Sequence, residues 1–374
     1  MANILNTCIR SSSGDLKSSI ENIKQSTFNI STKTVAAIEG KVEVPYYTFP
    51  KNIKDTQDGI YAALKDVVGE LLENLSKEDK TQTAIIIGTS IVDWHIINAV
   101  ETSNYPYKRQ PFYSKKRSID SYAKDLSDAF NLNGFTLTIN TACTSSVNAI
   151  LEASNLIDTG IYKYVVVIGL EIFSDMMSSG FYAMQLLNSD TIKPFDKERE
   201  GTILGEAISA ILLGDDDKSP WKIKGGHSNC NALSITAASE DGTEFVEMMH
   251  KALKLSNTSA TQITAIKTHA TGTYANDISE INAIKKVFDN SITFTALKPY
   301  VGHTIGACGA LEIALFMACI DDGFLPKTLN HSKAILKDYV PLLEHLNCTS
   351  GTFMFNFFGF GGNNTSLILQ REDR

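Results

Sequence analysis

A chain of 374 residues with 43% hydrophobic and 20% charged side chains is long enough for one large core or two fused ones and has the balance of an ordinary globular protein. Its 34 Lys+Arg against 42 Asp+Glu give a formal net charge of −8, which weighs against a nucleic-acid backbone as the main partner. No apolar run approaches the length that spans a bilayer, and the opening MANILNTCIRSSSGD meets an arginine after a short apolar start, so no secretory signal is read and a cytoplasmic location is expected.

Residues 83–88 form a strand-like run ending in Gly-Thr-Ser, 120–130 have helical spacing, and 135–139 return to strand. Residues 145–160 predict a long helix and 164–169 a further strand. In the second half, 205–213 is strand-like, 243–255 helical, and 263–268 a strand running into His269. Residues 277–288 are helical, 306–320 predict a long helix, 351–358 feed a glycine-rich turn, and 365–369 form the last strand. The alternation predicts an α/β protein with helix-covered sheets. The segments NTACTSSVNAILEASNLIDTG and VGHTIGACGALEIALFMACIDDG echo each other: small residues start a helix that turns apolar and ends at glycine. A duplicated pair of α/β halves would give this echo, and the division is drawn at residues 1–225 and 226–374.

One basic stretch stands out in an acidic chain. Lys108, Arg109, Lys115, Lys116 and Arg117 are interleaved with Tyr105, Tyr107, Phe112 and Tyr113. A nucleic-acid patch fits this composition, though its isolation in an acidic chain weighs against it; a solvated insertion, a subunit contact and a docking patch for an acidic partner fit as well.

The six cysteines, Cys8, Cys143, Cys230, Cys308, Cys319 and Cys348, contain no CxxC pair, which argues against a zinc knuckle and a disulfide frame. Cys143 sits between a predicted strand and a predicted helix, in Asn140-Thr141-Ala142-Cys143-Thr144-Ser145-Ser146. A thiol at a helix start is expected to have a lowered pKa and a raised thiolate fraction, although a buried structural cysteine would leave the same trace. His269 ends a predicted strand, and His303 precedes the long second-half helix, both among small residues. Strand ends that feed loops are where α/β proteins place chemistry. A metal bound by this Cys/His/His set is a further reading that local sequence leaves open. The turn Phe358-Gly359-Phe360-Gly361-Gly362-Asn363-Asn364 brings backbone N–H groups within reach of a ligand, and one of them can join the nucleophile's own N–H in an oxyanion hole.

Five segments, TACTSS (141–146), PFDKEREGTILGEA (194–207), THATGTYAND (268–277), KPYVGHTIGACGALE (298–312) and FGFGGNNTSLIL (358–369), together resemble the β-ketoacyl-acyl carrier protein synthases of the thiolase-like superfamily, elongating type. The likeness runs from about residue 80 to 370. It implies a duplicated α-β-α-β-α fold of five layers and usually a dimer. It implies that Cys143 accepts the acyl group, that His269 and His303 are the catalytic histidines, and that Lys298 organises the site. It further implies that the Phe360 N–H joins that of Cys143 in the oxyanion hole, that Phe358 and Phe360 lie on the gating loop, and that Asp277, Glu280 and Glu312 are supporting acids. The chain departs from the family at Ala270, where a glycine follows the histidine, at Ala207 in place of glycine, and at Asn363 in place of threonine.

The implied activity is a decarboxylative Claisen condensation of an acyl-thioester with a malonyl-thioester, both carried on the phosphopantetheine of an acyl carrier protein, in fatty-acid or specialised polyketide or polyene synthesis. No cofactor and no metal is implied. The partners implied are the carrier protein and a second subunit, in a homodimer or a heterodimer with a related ketosynthase-like chain. The alternatives are a noncatalytic chain-length-determining subunit, which commonly lacks the active cysteine, and a coenzyme A-using thiolase-like acyltransferase. The latter would want a second cysteine near the C-terminus, where Cys348 is the late candidate.

Overall fold

The computed structural model describes residues 2–38, 40–54, 56–90, 119–132, 134–216, 219–231, 238–289 and 291–373. The basic stretch, with Lys108, Arg109, Lys115, Lys116 and Arg117 and the aromatic residues Tyr105, Tyr107, Phe112 and Tyr113, lies outside the described residues.

The first half contains strands β1 (Asn3–Ser11), β2 (Ser31–Ala37), β3 (Gly40–Tyr46), β4 (Thr83–Thr89), β5 (Thr136–Ile139), β6 (Tyr164–Glu171) and β7 (Ala207–Gly214). Its helices are α1 (Leu16–Gln25), α2 (Gln57–Leu71), α3 (Lys77–Thr81), α4 (Ile119–Phe130), α5 (Ser145–Asp158) and α6 (Asp175–Ala183). The second half contains β8 (Trp221–Cys230), β9 (Ala265–Lys267), β10 (Thr293–Thr295), β11 (Phe324–Leu325), β12 (Leu346–Asn347), β13 (Gly351–Phe358) and β14 (Asn363–Arg371). Its helices are α7 (Thr243–Leu255), α8 (Tyr274–Val287), α9 (Lys298–Val301) and α10 (Cys308–Asp321).

Ten strands join in the order β10-β9-β13-β14-β8-β1-β7-β6-β4-β5. Counted from its outer edge, each half runs third, second, fourth, fifth, first in chain order. Each also has three parallel outer strands followed by two antiparallel ones. The two sets meet where Asn3 and Ile4 pair with Lys222 and Trp221. One topology twice over is the duplication that the echo between the halves predicts.

Side-chain alternation along the strands then sorts the core into layers. In the first half Ile85, Ile87, Val166, Ile168 and Leu212 pack outward with Leu64, Val67 and Leu126 of α2 and α4. Their neighbours Ala84, Ile86, Val165, Val167 and Leu213 face inward, in one cluster with Val147 and Ile150 of α5 and Leu311 and Leu315 of α10. In the second half Phe353, Phe355, Leu367 and Leu369 join that central cluster, while Ile266, Met354 and Ile368 pack outward with Met248, Met249 and Ile284 of α7 and α8. The result is helix, sheet, helix, sheet, helix. Each fully buried aliphatic side chain contributes about 1.5–3 kcal/mol.

Helix α10 occupies the middle layer and is buried from Cys308 to Ile320. This explains why it is apolar around its whole circumference rather than on one stripe. It crosses α5 closely at Gly309, where a Cβ would stand 2.5 Å from the Val147 nitrogen. That crossing brings the N-terminal ends of the two central helices together. Among the described residues, no helix is long and apolar enough to cross a membrane.

Candidate active site

The site is built where strands hand over to the two central helices. Cys143 lies in a single 3-10 turn, Ala142–Thr144, between β5 and α5. The turn Ile305–Ala307 occupies the same place before α10, and His303 stands just ahead of it. His269 follows β9 by two residues. All three side chains are buried, with Cys143 4%, His269 1% and His303 2% exposed. A non-glycine residue with positive φ lies beside each: Ala142 (53°) before Cys143, Ala270 (47°) after His269, and Ile305 (35°) two residues after His303. This backbone is strained, at about 1–3 kcal/mol per residue. Ala270, which departs from the family's glycine, is held there by Glu280, whose Oε1 accepts from the His269 N–H and whose Oε2 accepts from the Ala270 N–H, both at 2.8 Å. Asp277 supports the same loop by accepting from the N–H of Phe195 at 2.8 Å and of Gly272 at 3.2 Å.

Cys143 Sγ is 3.2 Å from His303 Nε2, and the two imidazole rings meet edge-on with centroids 5.3 Å apart. Backbone N–H groups of Phe360 and of Cys143 itself point at the sulfur. The thiol nevertheless departs from the lowered pKa that a helix start predicts. Burial pushes it up to about 11, which outweighs the Lys298 charge and the two N–H groups. The resting group is therefore a neutral thiol. Burial, reinforced by the Lys298 charge, also holds His269 and His303 well below the usual histidine range, so both rings are neutral near pH 7.

The hydrogen-bond partners distinguish the histidines. Burial lowers the pKa of Lys298, but Glu312 more than offsets this and the net shift is upward. An ammonium can only donate. Its Nζ lies 3.4 Å from His269 Nδ1, so Nδ1 accepts and the ring hydrogen sits on Nε2. His269 is thereby a fixed N–H donor. His303 Nδ1 has no hydrogen-bond partner among the described residues, so nothing there fixes its tautomer, and its Nε2 can accept in one step and donate in another.

Below the histidines, Glu312 takes the Lys298 Nζ on Oε1 at 2.7 Å and the Lys267 Nζ on Oε2 at 2.6 Å, with all three side chains fully buried. Glu312→Gln would leave two buried ammonium groups without a carboxylate. It is expected to destabilise the fold by about 3–5 kcal/mol, read from denaturant unfolding midpoints. A loss below about 1 kcal/mol would show that the cluster is not held by charge.

A cavity of about 290 Å³ rises from this floor, lined in part by Cys143, His269, His303, Thr271, Thr273 and Phe360. It reaches the surface beside Tyr274, which is 69% exposed. Phe358, at the end of β13, is clamped face to face on Phe245 of α7, 3.6 Å between centroids. Phe360 lies in the next turn and stacks on Phe181 of α6 at 5.4 Å. That turn accepts only glycine at position 362, where φ is 76° and a Cβ would fall 1.7 Å from the Asn231 carbonyl oxygen. Of the two rings, Phe360 is the less tightly fixed.

The Cys143, His269 and His303 ligand atoms also lie within 4.8 Å of one another, a spacing that a soft divalent ion could bridge. Two buried ammonium groups share one carboxylate beneath them, and that excess positive charge opposes a cation. Cys348 does not line the cavity and bonds to the Ser350 carbonyl instead.

Sequence reasoning brought Cys143, His269, His303, Lys298, Glu280, Asp277, Glu312 and Phe360 to one place, and missed Lys267, Phe181, Phe245 and Glu171. The signal for Lys267 was a lysine closing an apolar strand two residues before His269. Glu171 has its Oε2 2.6 Å from the Ser90 hydroxyl and 2.9 Å from the Gly306 N–H, so it holds the turn before α10.

Residues 14–219 match the family model described as Beta-ketoacyl synthase, N-terminal domain, and residues 222–332 match Beta-ketoacyl synthase, C-terminal domain. The 3-oxoacyl-[acyl-carrier-protein] synthase 2 of Rhizobium meliloti (strain 1021) is 31% identical over 319 residues, covering 79% of this chain and 76% of that protein. The mitochondrial 3-oxoacyl-[acyl-carrier-protein] synthase of Arabidopsis thaliana is 29% identical over 321 residues, covering 78% and 69%. Among solved structures, a ketosynthase from Xenorhabdus doucetiae, in complex with its chain length factor, superposes with a TM-score of 0.86 at 23% identity, over 99% of this chain and 98% of that one. A type II polyketide ketosynthase in complex with its acyl-carrier protein gives 0.85 at 20% identity, over 100% and 99%. At these identities the structural likeness speaks for the fold.

Proposed function

The chain belongs to the beta-ketoacyl synthase family, and we propose that it is a 3-oxoacyl-[acyl carrier protein] synthase in which Cys143, His269 and His303 carry the reaction. The observation that supports this most is the convergence of a thiol, an acceptor-capable imidazole and a fixed imidazole donor on one cavity floor. In the first stage the Cys143 sulfur attacks an acyl-thioester carbonyl as its proton passes to His303 Nε2. The oxyanion faces the N–H groups of Cys143 and Phe360, and the departing carrier thiol takes the proton. In the second stage a malonyl-thioester loses carbon dioxide. The His269 Nε2–H, joined by His303, donates to the thioester oxygen as it becomes an enolate. The new carbanion carbon bonds to the acyl carbonyl, the Cys143 sulfur leaves as the thiolate and regains a solvent proton through His303 Nε2, and a 3-oxoacyl-thioester two carbons longer departs.

We propose an acyl carrier protein with a phosphopantetheine arm as the donor of both substrates, a homodimer or a heterodimer with a related ketosynthase-like chain as the assembly, and the cytoplasm as the setting. Fatty-acid, polyketide and polyene chains all fit the chemistry. The labour divides between residues 1–225, with the nucleophile, and 226–374, with the histidines, β8 straddling the junction. The readings as a noncatalytic chain-length subunit or as a coenzyme A-using thiolase-like enzyme find less support. The first does not need the cysteine, and the second would place a further thiol in the cavity. The test is incubation with acyl- and malonyl-carrier proteins, followed by mass spectrometry of carrier-bound product. An acyl-enzyme with no 3-oxoacyl product would overturn the condensing role.

The ring of Phe360, stacked on Phe181 at the cavity wall, is proposed to gate acyl entry. Phe360→Ala is expected to widen the range of acyl chains loaded on Cys143 and to weaken discrimination among them by roughly tenfold. Loading rates across a chain-length series are the measurement, and an unchanged profile in a folded variant removes the gate.

A further inference from the structure

Among the described residues, Lys267 is a buried charge at the site that the reaction above leaves without work. Its ammonium closes β9 and is fully buried. It donates to Glu312 Oε2 at 2.6 Å and to the Asn356 carbonyl at 3.2 Å, and it sits 3.6 Å from the centroid of the Phe357 ring. Lys298 already neutralises Glu312 through the other oxygen at 2.7 Å. A second ammonium therefore adds a positive charge with no bonded carboxylate of its own, Glu280 being the further acid that faces it, and burying it costs stability that an apolar side chain of the same length would not. It does not line the cavity, so it does not touch substrate.

We propose that Lys267 is a positioning residue for the condensation: by occupying the second oxygen of Glu312 it fixes the carboxylate, and through it the Lys298 ammonium, against His269 Nδ1, and it leaves the cluster with one net positive charge beneath the reacting atoms. The inference rests on the functional reading above. Without Lys267, Glu312 is free to rotate and to draw Lys298 away from the ring. With it, His269 keeps its hydrogen on Nε2 and stays neutral, since a cation nearby opposes protonation of the imidazole. The negative charge of an enolate gains from the same field. Burial lowers the Lys267 pKa, and Glu312 at 2.6 Å opposes that shift and favours the ammonium. The other titratable groups facing the cluster are Glu312 and Cys308 of α10, Lys298 of α9, His303 beyond it, Cys143 across the cavity floor, and Glu280 of α8, with Asp277 behind Glu280.

The test compares the full chain with Lys267→Met, which keeps the stem and removes the charge, and with Lys267→Gln should the first not fold. Ring carbons labelled in histidine report the protonation of His269 by NMR as a function of pH, with no need for activity. Loss of the positive neighbour should raise the His269 pKa, on the order of one pH unit. In parallel, decarboxylation of a malonyl thioester should lose about tenfold in rate near neutrality, with its acid limb displaced upward by the same amount. Alkylation of Cys143 by iodoacetamide should change less than decarboxylation does, because Lys267 reaches the thiol only through the Lys298 charge. A His269 titration that superimposes on the parent's overturns the proposal, whatever the activity. A parent chain that neither decarboxylates nor condenses overturns the functional reading instead, and leaves the titration to judge Lys267.

Discussion

Cys143→Ala is expected to abolish acyl loading and condensation while leaving the fold intact. The thiol is buried, with its pKa pushed up to about 11, so little of it is thiolate near pH 7. Such a group reacts only when its proton leaves as the bond forms, and His303 Nε2 at 3.2 Å is placed to take it. Of the other cysteines, Cys308 and Cys319 are fully buried and Cys8 is bonded to Glu70, while Cys230 and Cys348 lie outside the cavity. None can substitute, so the loss should be on the order of 10³ or more in single-turnover acylation. Removing one sulfur from a packed core costs about 1 kcal/mol, too little to unfold the chain. Decarboxylation of a malonyl thioester should persist in this variant, since the two imidazoles remain. Intact-protein mass spectrometry after exposure to an acyl-carrier donor is the measurement. An acyl adduct on another cysteine, with Cys143 unmodified, would sink the assignment.

The parts of this molecule that were legible in the sequence are those where local pattern and burial agree. Residues 243–255 read as a helix because apolar Phe245, Met248, Met249, Ala252 and Leu253 fall on one face, and the helix has those bounds. The expected helix at 277–288 begins earlier, at Tyr274: Thr273 holds the cap position, and Asp277, already inside the helix, turns inward to Phe195 and Gly272. The helix expected from 306 starts at Cys308, since a 3-10 turn intervenes. Strand β8 escaped notice because Gly225 and Gly226 break its alternation, and Gly225 sits where the register with β14 shifts. Strand β1 escaped too, though it ends up at the junction of the two halves. The site's residue types were legible because small-residue turns flank them. Its electrostatics were not. A helix start suggests a reactive thiolate, but desolvation is a property of the assembled layers and dominates here. A lysine closing a short strand reads as solvent-facing until α10, arriving from far along the chain, covers it with Glu312.

His269→Ala and His303→Ala are expected to fail at different steps. The family resemblance names both as catalytic histidines without separating their roles. The geometry separates them. Lys298 donates to His269 Nδ1 and keeps its Nε2 hydrogen in place, so His269 can only donate, and the acylation step asks for no donor beyond the N–H groups of Cys143 and Phe360. Removing it should lower malonyl decarboxylation by about 10²–10³, the usual worth of one donor to a developing oxyanion, and change acylation less than about threefold. His303 touches the thiol, and its Nδ1, which has no hydrogen-bond partner among the described residues, leaves Nε2 able to accept the proton. Removing it should lower acylation by about 10²–10⁴, the range of a general base, and decarboxylation as well. Rapid-quench rates for the two half-reactions, one with an acyl thioester alone and one with a malonyl thioester alone, decide the matter. If His269→Ala slows acylation as much as decarboxylation, the lysine does not hold that ring as a donor and the division of labour falls. A His303→Ala enzyme that acylates at the parent's rate would mean that the buried thiol loses its proton to a group other than its nearest neighbour.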